Sequence, residues 1–167
     1  MPETVTPKKV KRSLLKNFLD VTPSASTPKY ELMGPGITGQ TVNYNPQTEE
    51  EVYIHQDTGE TDVTGYKPSI PTPQTAMVGD PVYDYVDGLR RNRAVLSEAR
   101  TSVLTVYAYL PQTEGAYPAE KNACSIQVDD FGGDGGGSLK INYTIHFVGD
   151  PVQGTFDPAT KTFTANP

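Results

Sequence analysis

The stretch that most constrains this chain runs from Ala123 to Thr164, where two strand patterns flank a glycine-rich loop and a further hairpin follows. After the loop, Leu139, Ile141, Tyr143, Ile145 and Phe147 alternate with Lys140, Asn142, Thr144 and His146. This unbroken period of two predicts a half-buried antiparallel strand. Before the loop, Cys124, Ile126 and Val128 alternate with Ser125, Gln127 and Asp129, so the two runs predict a long hairpin with one apolar face. The connection from Asp130 to Gly137 carries five glycines in six positions, more freedom than a tight turn requires. A phosphate loop would need a Lys-Ser/Thr pair and a helix N-terminus after it, and here a strand pattern follows. Asp129, Asp130 and Asp134 lack the alternate-residue spacing and closing glutamate of a calcium loop. A mobile surface connection, open to ordering by a partner, is the expectation.

The rest of the chain favours strands and turns. Fifteen prolines, fifteen glycines and ten tyrosines in 167 residues point to a mainly β protein, and the length suits one domain with arms or long loops. A net charge of -6 and a mean hydropathy of -0.49 describe a soluble acidic chain. Cys124 is the only cysteine, which excludes an intrachain disulfide, and its place on the Ile126/Val128 face predicts a core thiol. No apolar window is long enough for a membrane helix. Ser13 to Val21 is interrupted by Lys16, Asn17 and Asp20 and makes a poor signal-peptide core, so the protein is expected to stay where it is made, with Asn142-Tyr143-Thr144 unglycosylated.

Towards the N-terminus, Pro7 to Arg12 is a short cationic run, read as a solvated arm that meets an acidic neighbour. Leu14, Leu15, Phe18, Leu19 and Val21 permit a helix or a bulged strand, and the strand is the expectation. A loop at 21–29 and a short strand from Tyr30 to Met33 follow. Alternation from Gly39 to Tyr44 and again from Glu49 to His55, with a turn at Asn45-Pro46, predicts two joined strands. Gln56 to Thr64 reads as a polar connection, and the proline-rich run from Lys67 to Pro73 as an extended edge or projecting arm.

One helix is well marked. Asp80 is a good N-cap, Pro81 occupies the first helical position, and Val82, Tyr85, Val86 and Leu89 form a stripe in a helix of about 80–93. Arg90, Arg91 and Arg93 at its end suit the helix dipole and carboxylate pairing better than phosphate binding. Ser102 to Leu110 is apolar or aromatic on both alternating sets, so it is either a central strand or one whose second face is buried by another subunit. Gly79-Asp80-Pro81-Val82 recurs as Gly149-Asp150-Pro151-Val152, read as the same local capping chemistry and not a domain repeat. A closing hairpin runs from Gln153 to Phe156, turns at 157–160, and returns to Thr164.

No catalytic or cofactor constellation emerges. His55 and His146 sit in strand patterns without ligands at metal spacing, and neither a nucleophile elbow nor a zinc motif is present. Glu49-Glu50-Glu51 alternate faces in a strand and read as a charged rim or lining surface.

Taken in order, Tyr44-Asn45-Pro46-Gln47-Thr48-Glu49, Tyr53-Ile54-His55-Gln56, Tyr66 to Pro71, Gly79 to Val82 with Asp87-Gly88-Leu89-Arg90, Phe131 to Gly135, and Gly149 to Val152 with Gly154 to Asp157 carry a resemblance. The chain resembles the major tail tube proteins of long, non-contractile-tailed bacteriophages, especially those of Gram-positive hosts. That resemblance implies a sandwich or barrel of two packed antiparallel sheets with one flanking helix, in a domain spanning 13–167 with a long loop at about 45–73 and a basic arm at 1–12. It implies hexameric rings stacked into a virion tail, put together in the host cytoplasm, through which viral DNA passes without specific binding. The implied partners are further copies of itself and the tape measure, tail tip and tail terminator proteins, with no cofactor, metal or membrane. By the same analogy Lys8, Lys9, Lys11, Arg12, Asn45, Pro46, Tyr66, Pro68, Pro71, Gly133, Asp134 and Gly135 are candidate subunit or ring contacts. Glu49, Glu50, Glu51 and Asp129 are candidate acidic lumen or rim residues. An acidic surface repels a polyanion, which suits a conduit. The main alternative is a monomeric immunoglobulin-like sandwich that binds carbohydrate or protein on a virion or cell surface, which predicts an aromatic patch.

Overall fold

The computed structural model describes residues 5–167, so the first four residues of the expected basic arm lie outside the described residues. The marked alternation after the glycine loop becomes the longest strand of the molecule. Strand β1 spans Leu15–Asp20, β2 Tyr30–Leu32, β3 Pro46–Glu51, β4 Glu60–Tyr66 and β5 Ser69–Thr75. Helix α1, Pro81–Asn92, precedes β6 Arg100–Tyr107, β7 Tyr117–Gly132, β8 Lys140–Asp157 and β9 Thr162–Ala165. Seven of these strands form one antiparallel sheet in the order β2-β1-β6-β7-β8-β5, with β9 on the far half of β8. The sheet is nearly closed and barrel-like, and β3 and β4 form a separate two-stranded ribbon.

Two cores lie on opposite faces of this one sheet. Alternation along β1 sends Leu19 to one face and Phe18 to the other, and β6 does the same with Val103 and Leu104. The first core gathers Leu19, Val103, Cys124, Ile126, Ile141, Tyr143 and Ile145 under Val82 and Val86 of α1. The second gathers Phe18, Tyr30, Leu104, Val106, Ala119 and Phe156, with the Phe156 ring 4.6 Å from that of Phe18. Lys161, in the turn between β8 and β9, reaches Glu31 on β2 at 2.9 Å, which ties the C-terminal hairpin to β2. The second face of β6 is therefore covered by the chain's own C-terminal strands, so 102–107 is a central strand, while 108–110, expected to continue it, form a turn with Tyr109 and Leu110 exposed.

Helix α1 begins as its sequence dictates. The Asp80 carboxylate accepts from the Tyr83 N–H at 3.0 Å and Pro81 occupies the first turn; Arg93, left-handed at φ 46°, closes the other end. Its buried side is Val82, Tyr83, Val86 and Asp87, with Tyr85 and Leu89 half-buried, a small rotation from the expected stripe. Asp87 is ion-paired to Arg90 at 2.7 Å and to Arg91 at 2.9 Å, so these two arginines serve the helix itself. Burial acts to raise the Asp87 pKa, but hydrogen bonds and charge from the two guanidiniums outweigh it and hold the carboxyl below its usual range.

Several local expectations are corrected. Gly39 to Tyr44 is not a strand; only Asn43 makes a bridge, to Ser69. Strand β3 starts at Pro46, where a turn was expected, and Val52 to Ile54 lie in the ribbon's tip and not on a buried strand face. The polar connection at 56–64 contains most of β4, and the long loop at 45–73 is thus a hairpin followed by a sheet strand. The reason is that both faces of β3 and β4 are exposed, so no apolar alternation marks them. The second Gly-Asp-Pro-Val caps nothing. It is a bulge inside β8, where Gly149 at φ 72° lets Asp150 and Pro151 loop out between the pairs Lys121↔Val152 and Ala123↔Val148.

Candidate assembly surfaces

A domain of this size is expected to cover its sheet faces, and among the described residues three surfaces stand unpartnered. The first is the face of β5, β8 and β7 opposite α1. Strand alternation places Pro71 and Pro73, then Asn142, Thr144 and His146, then Gln127 and Asp129 there. These side chains hydrogen-bond to one another, although the buried Asn142 Oδ1 has no partner among the described residues. Thr144 donates to Asp129 at 2.8 Å, Asn142 donates to Asp130 at 2.7 Å, and His146 lies 3.1 Å from Gln127. The outcome is a polar wall whose hydrogen bonds run along its own surface. Prolines on β5 withhold N–H donors at the sheet edge, which blunts unwanted strand addition.

The second is the β3–β4 ribbon. Glu49 stands opposite Asp62 and Glu51 opposite Glu60, so two like-charged pairs share one face. Such pairs oppose pairing. Its base is fixed instead: Asn45, at φ 44°, donates to the Lys67 carbonyl at 3.0 Å and to Ser69 Oγ at 3.1 Å. At its tip Ile54 is fully exposed, and Tyr53 donates to Glu51 at 2.7 Å.

The third is an aromatic groove of about 720 Å³ where the ribbon base meets the β8 bulge, lined by Tyr44, Pro46, Tyr66, Pro68, Phe147 and Pro151. Tyr44 and Tyr66 are 58% and 60% exposed and meet edge to face at 6.3 Å. Glu120 and Asp150 supply carboxylates to the same groove. Beside it Tyr107 packs on Tyr109 at 6.1 Å, and burial followed by the Glu120 charge pushes the Tyr107 hydroxyl up to about 12.

The sequence-predicted contacts fall into different places. Lys8, Lys9 and Lys11 are exposed in an extended segment without an ion pair among the described residues. Arg12 is tied to its own chain, donating to the carbonyls of Leu15 at 2.6 Å and Gln40 at 2.8 Å. Asn45 is the ribbon's staple, while Pro46, Tyr66 and Pro68 line the groove and Pro71 lies on the polar wall. Gly133, Asp134 and Gly135 are exposed at the β7–β8 turn, where the Asp134 carbonyl accepts from the Gly137 N–H at 3.1 Å. Glu49, Glu50 and Glu51 are on the ribbon, and only Asp129 belongs to the sheet wall.

Sequence reasoning did not find the groove, since Tyr44, Tyr66, Phe147 and Glu120 converge only through pairing between distant strands. The wall was present as the polar half of the alternation after the loop. Cys124 is fully buried and its thiol is pushed up to about 12 by that burial, as a core thiol should be. Among the described residues no group of three or more His, Cys, Asp or Glu side chains converges as a metal site, and no helix is long and apolar enough to cross a membrane.

This curled, nearly closed antiparallel sheet with one flanking helix is similar in fold to chains from phage-type tails and a tail tube. A chain from the tail of an empty gene transfer agent particle, refined with C6 symmetry, matches with a TM-score of 0.63 at 14% identity, over 94% of this chain and 100% of that one. The SPP1 tail tube protein matches with a TM-score of 0.65 at 11% identity, over 87% of this chain and 78% of that one. A chain of the native gene transfer agent virion gives 0.60 at 13% identity, over 94% and 100%. No protein-family model and no curated protein matches the sequence.

Proposed function

We propose that this chain is the structural subunit of a bacteriophage-type tail tube, assembled as stacked hexameric rings around a channel for viral DNA. The observation that carries the reading is the β3–β4 ribbon, whose strands are exposed on both faces. A free two-stranded ribbon is marginal in water, and one carrying two repulsive cross-strand pairs is worse, so it calls for a neighbouring subunit. The likeness in fold to chains from tails and tail tubes supports the same reading.

In the ring, the wall of β5, β8 and β7 faces the channel and α1 faces outward. Asp129 and Asp130 are already engaged by Thr144, Asn142 and Gln127, and the wall offers amides, hydroxyls and carboxylates, with Lys140 at its loop end, in place of a basic groove. Binding to a polyanion by counterion release requires cations, so DNA slides past this surface without being gripped. The role is structural and not catalytic, its place is the virion tail, and tape measure, tail tip and terminator proteins are its further partners. Electron microscopy of the purified protein at high concentration is expected to show tubes with a central channel. Monodisperse monomer under every assembly condition, by light scattering and microscopy, would falsify this reading.

A second reading has one observation in its favour. The exposed Tyr44–Tyr66 groove is the aromatic patch that a monomeric carbohydrate-binding sandwich would carry. Titration with oligosaccharides, followed by tyrosine fluorescence or ring NMR signals, decides between a saccharide site and a protein contact.

A further inference from the structure

The groove and the N-terminal segment have complementary chemistry. Every residue from Val5 to Ser13 is exposed, none of 5–11 is in secondary structure, and Lys11 at φ -74°, ψ 139° has polyproline-type backbone. The segment Val5-Thr6-Pro7-Lys8-Lys9-Val10-Lys11 mixes Pro7 and two valines with three lysines, on a chain whose net charge is -6. The groove presents the matching features. Tyrosine and proline faces suit an extended, proline-containing strand, ring faces attract ammonium groups, and Glu120 and Asp150 are the counter-charges. Large exposed aromatics beside an apolar cleft are the residue types that dominate protein contacts.

We propose that this groove is the seat of residues 5–11 of a second copy of the chain; the proposal rests on the reading of the chain as a tube subunit. Pro7 and Val10 lie on the Tyr44–Tyr66 rings, and the lysines face Glu120 and Asp150. Arg12, pinned to the Leu15 and Gln40 carbonyls, fixes the point from which the segment leaves its own domain. The acidic ribbon next to the groove, with Glu49, Glu51, Glu60 and Asp62 on one face, adds attraction for the same cations.

The test uses full-length chains carrying Val10→Cys mixed with full-length chains carrying Pro46→Cys, beside the Tyr44 and Tyr66 rings, under mild oxidation, so that Glu120 and Asp150 both stay in place. Native Cys124 is left in place because it is fully buried. The expected result is a disulfide-linked heterodimer in about tenfold excess over either homodimer, lost when Lys8, Lys9 and Lys11 are changed to Glu. It should be regained when that reversed segment meets Pro46→Cys chains that also carry Glu120→Lys and Asp150→Lys. Tubes by microscopy with no heterodimer would overturn this proposal and leave the tube reading intact; heterodimer without tubes would do the reverse. A disulfide formed only within one chain, in the doubly substituted protein, rules out the second copy as occupant. Oligosaccharide-induced shifts of Tyr44 and Tyr66 without heterodimer would overturn it in favour of a saccharide site.

Discussion

Phe156→Ala tests whether the C-terminal strands are part of the folded subunit or an arm that docks elsewhere. The ring is fully buried, 4.6 Å from Phe18 and 6.3 Å edge-on from Tyr30, over Leu104, Val106 and Ala119. Truncating a buried aromatic of this kind costs about 3–5 kcal/mol, of which each aromatic pair accounts for about 0.5–1.5 kcal/mol. Against a typical stability of about 5–15 kcal/mol this is a large fraction. At about 2–4 °C per kcal/mol for a chain of this length, the melting temperature should fall by roughly 6–20 °C. Urea unfolding followed by circular dichroism gives the same quantity, with the midpoint lowered and the slope unchanged. Phe156→Leu, which retains most of the volume, should recover more than half of the loss. If the alanine variant lost less than about 1 kcal/mol, the ring would not be holding a closed core in the free subunit, and the account of two cores on one sheet would be wrong.

Three other outcomes are expected. Asp87→Asn should lower stability at pH 7 by roughly 1 kcal/mol through loss of the Arg90 and Arg91 pairs. Because the folded-state pKa of Asp87 lies below its unfolded value, that contribution is present above the unfolded pKa and disappears as pH falls through the lowered one, so wild type and variant should converge in acid melts. Asp80→Ala removes the cap on Tyr83 and a partner of the buried Gln74 amide, which Tyr143 also engages at 3.0 Å, and should cost about 1–3 kcal/mol by chemical denaturation. Glu60→Lys with Asp62→Lys turns two repulsive cross-strand pairs into attractive ones, each shifting by about 0.2–1 kcal/mol. Hydrogen exchange of the ribbon amides in the free subunit should slow several-fold while tube formation weakens; faster exchange would refute the repulsion.

How much was legible follows from where the physical signal lies. The hairpin of β7 and β8, the capped helix and the closing hairpin of β8 and β9 each carry their own signal: a period of two, a cap with a first-turn proline, and a turn between short strands. Asp87 pairing with Arg90 and Arg91 was also within reach, because i, i+3 and i, i+4 neighbours meet on any helix. The β3–β4 ribbon escaped because a strand exposed on both faces has no apolar side to alternate. The Gly149 bulge escaped because the same Gly-Asp-Pro-Val caps a helix at 79–82, and only cross-strand register decides between the two.

By itself the sequence determined the mainly β class, the helix and its ends, the buried thiol and the polar half of the β8 alternation, since each is settled by residues within a few positions of one another. Only the tertiary structure decided that Phe156 closes a second core over Phe18, that Asn45 staples the ribbon to Lys67 and Ser69, and that Tyr44, Tyr66 and Glu120 share a groove. Those contacts join residues 22 to more than a hundred positions apart, and they form only once pairing across the whole sheet has brought distant segments together.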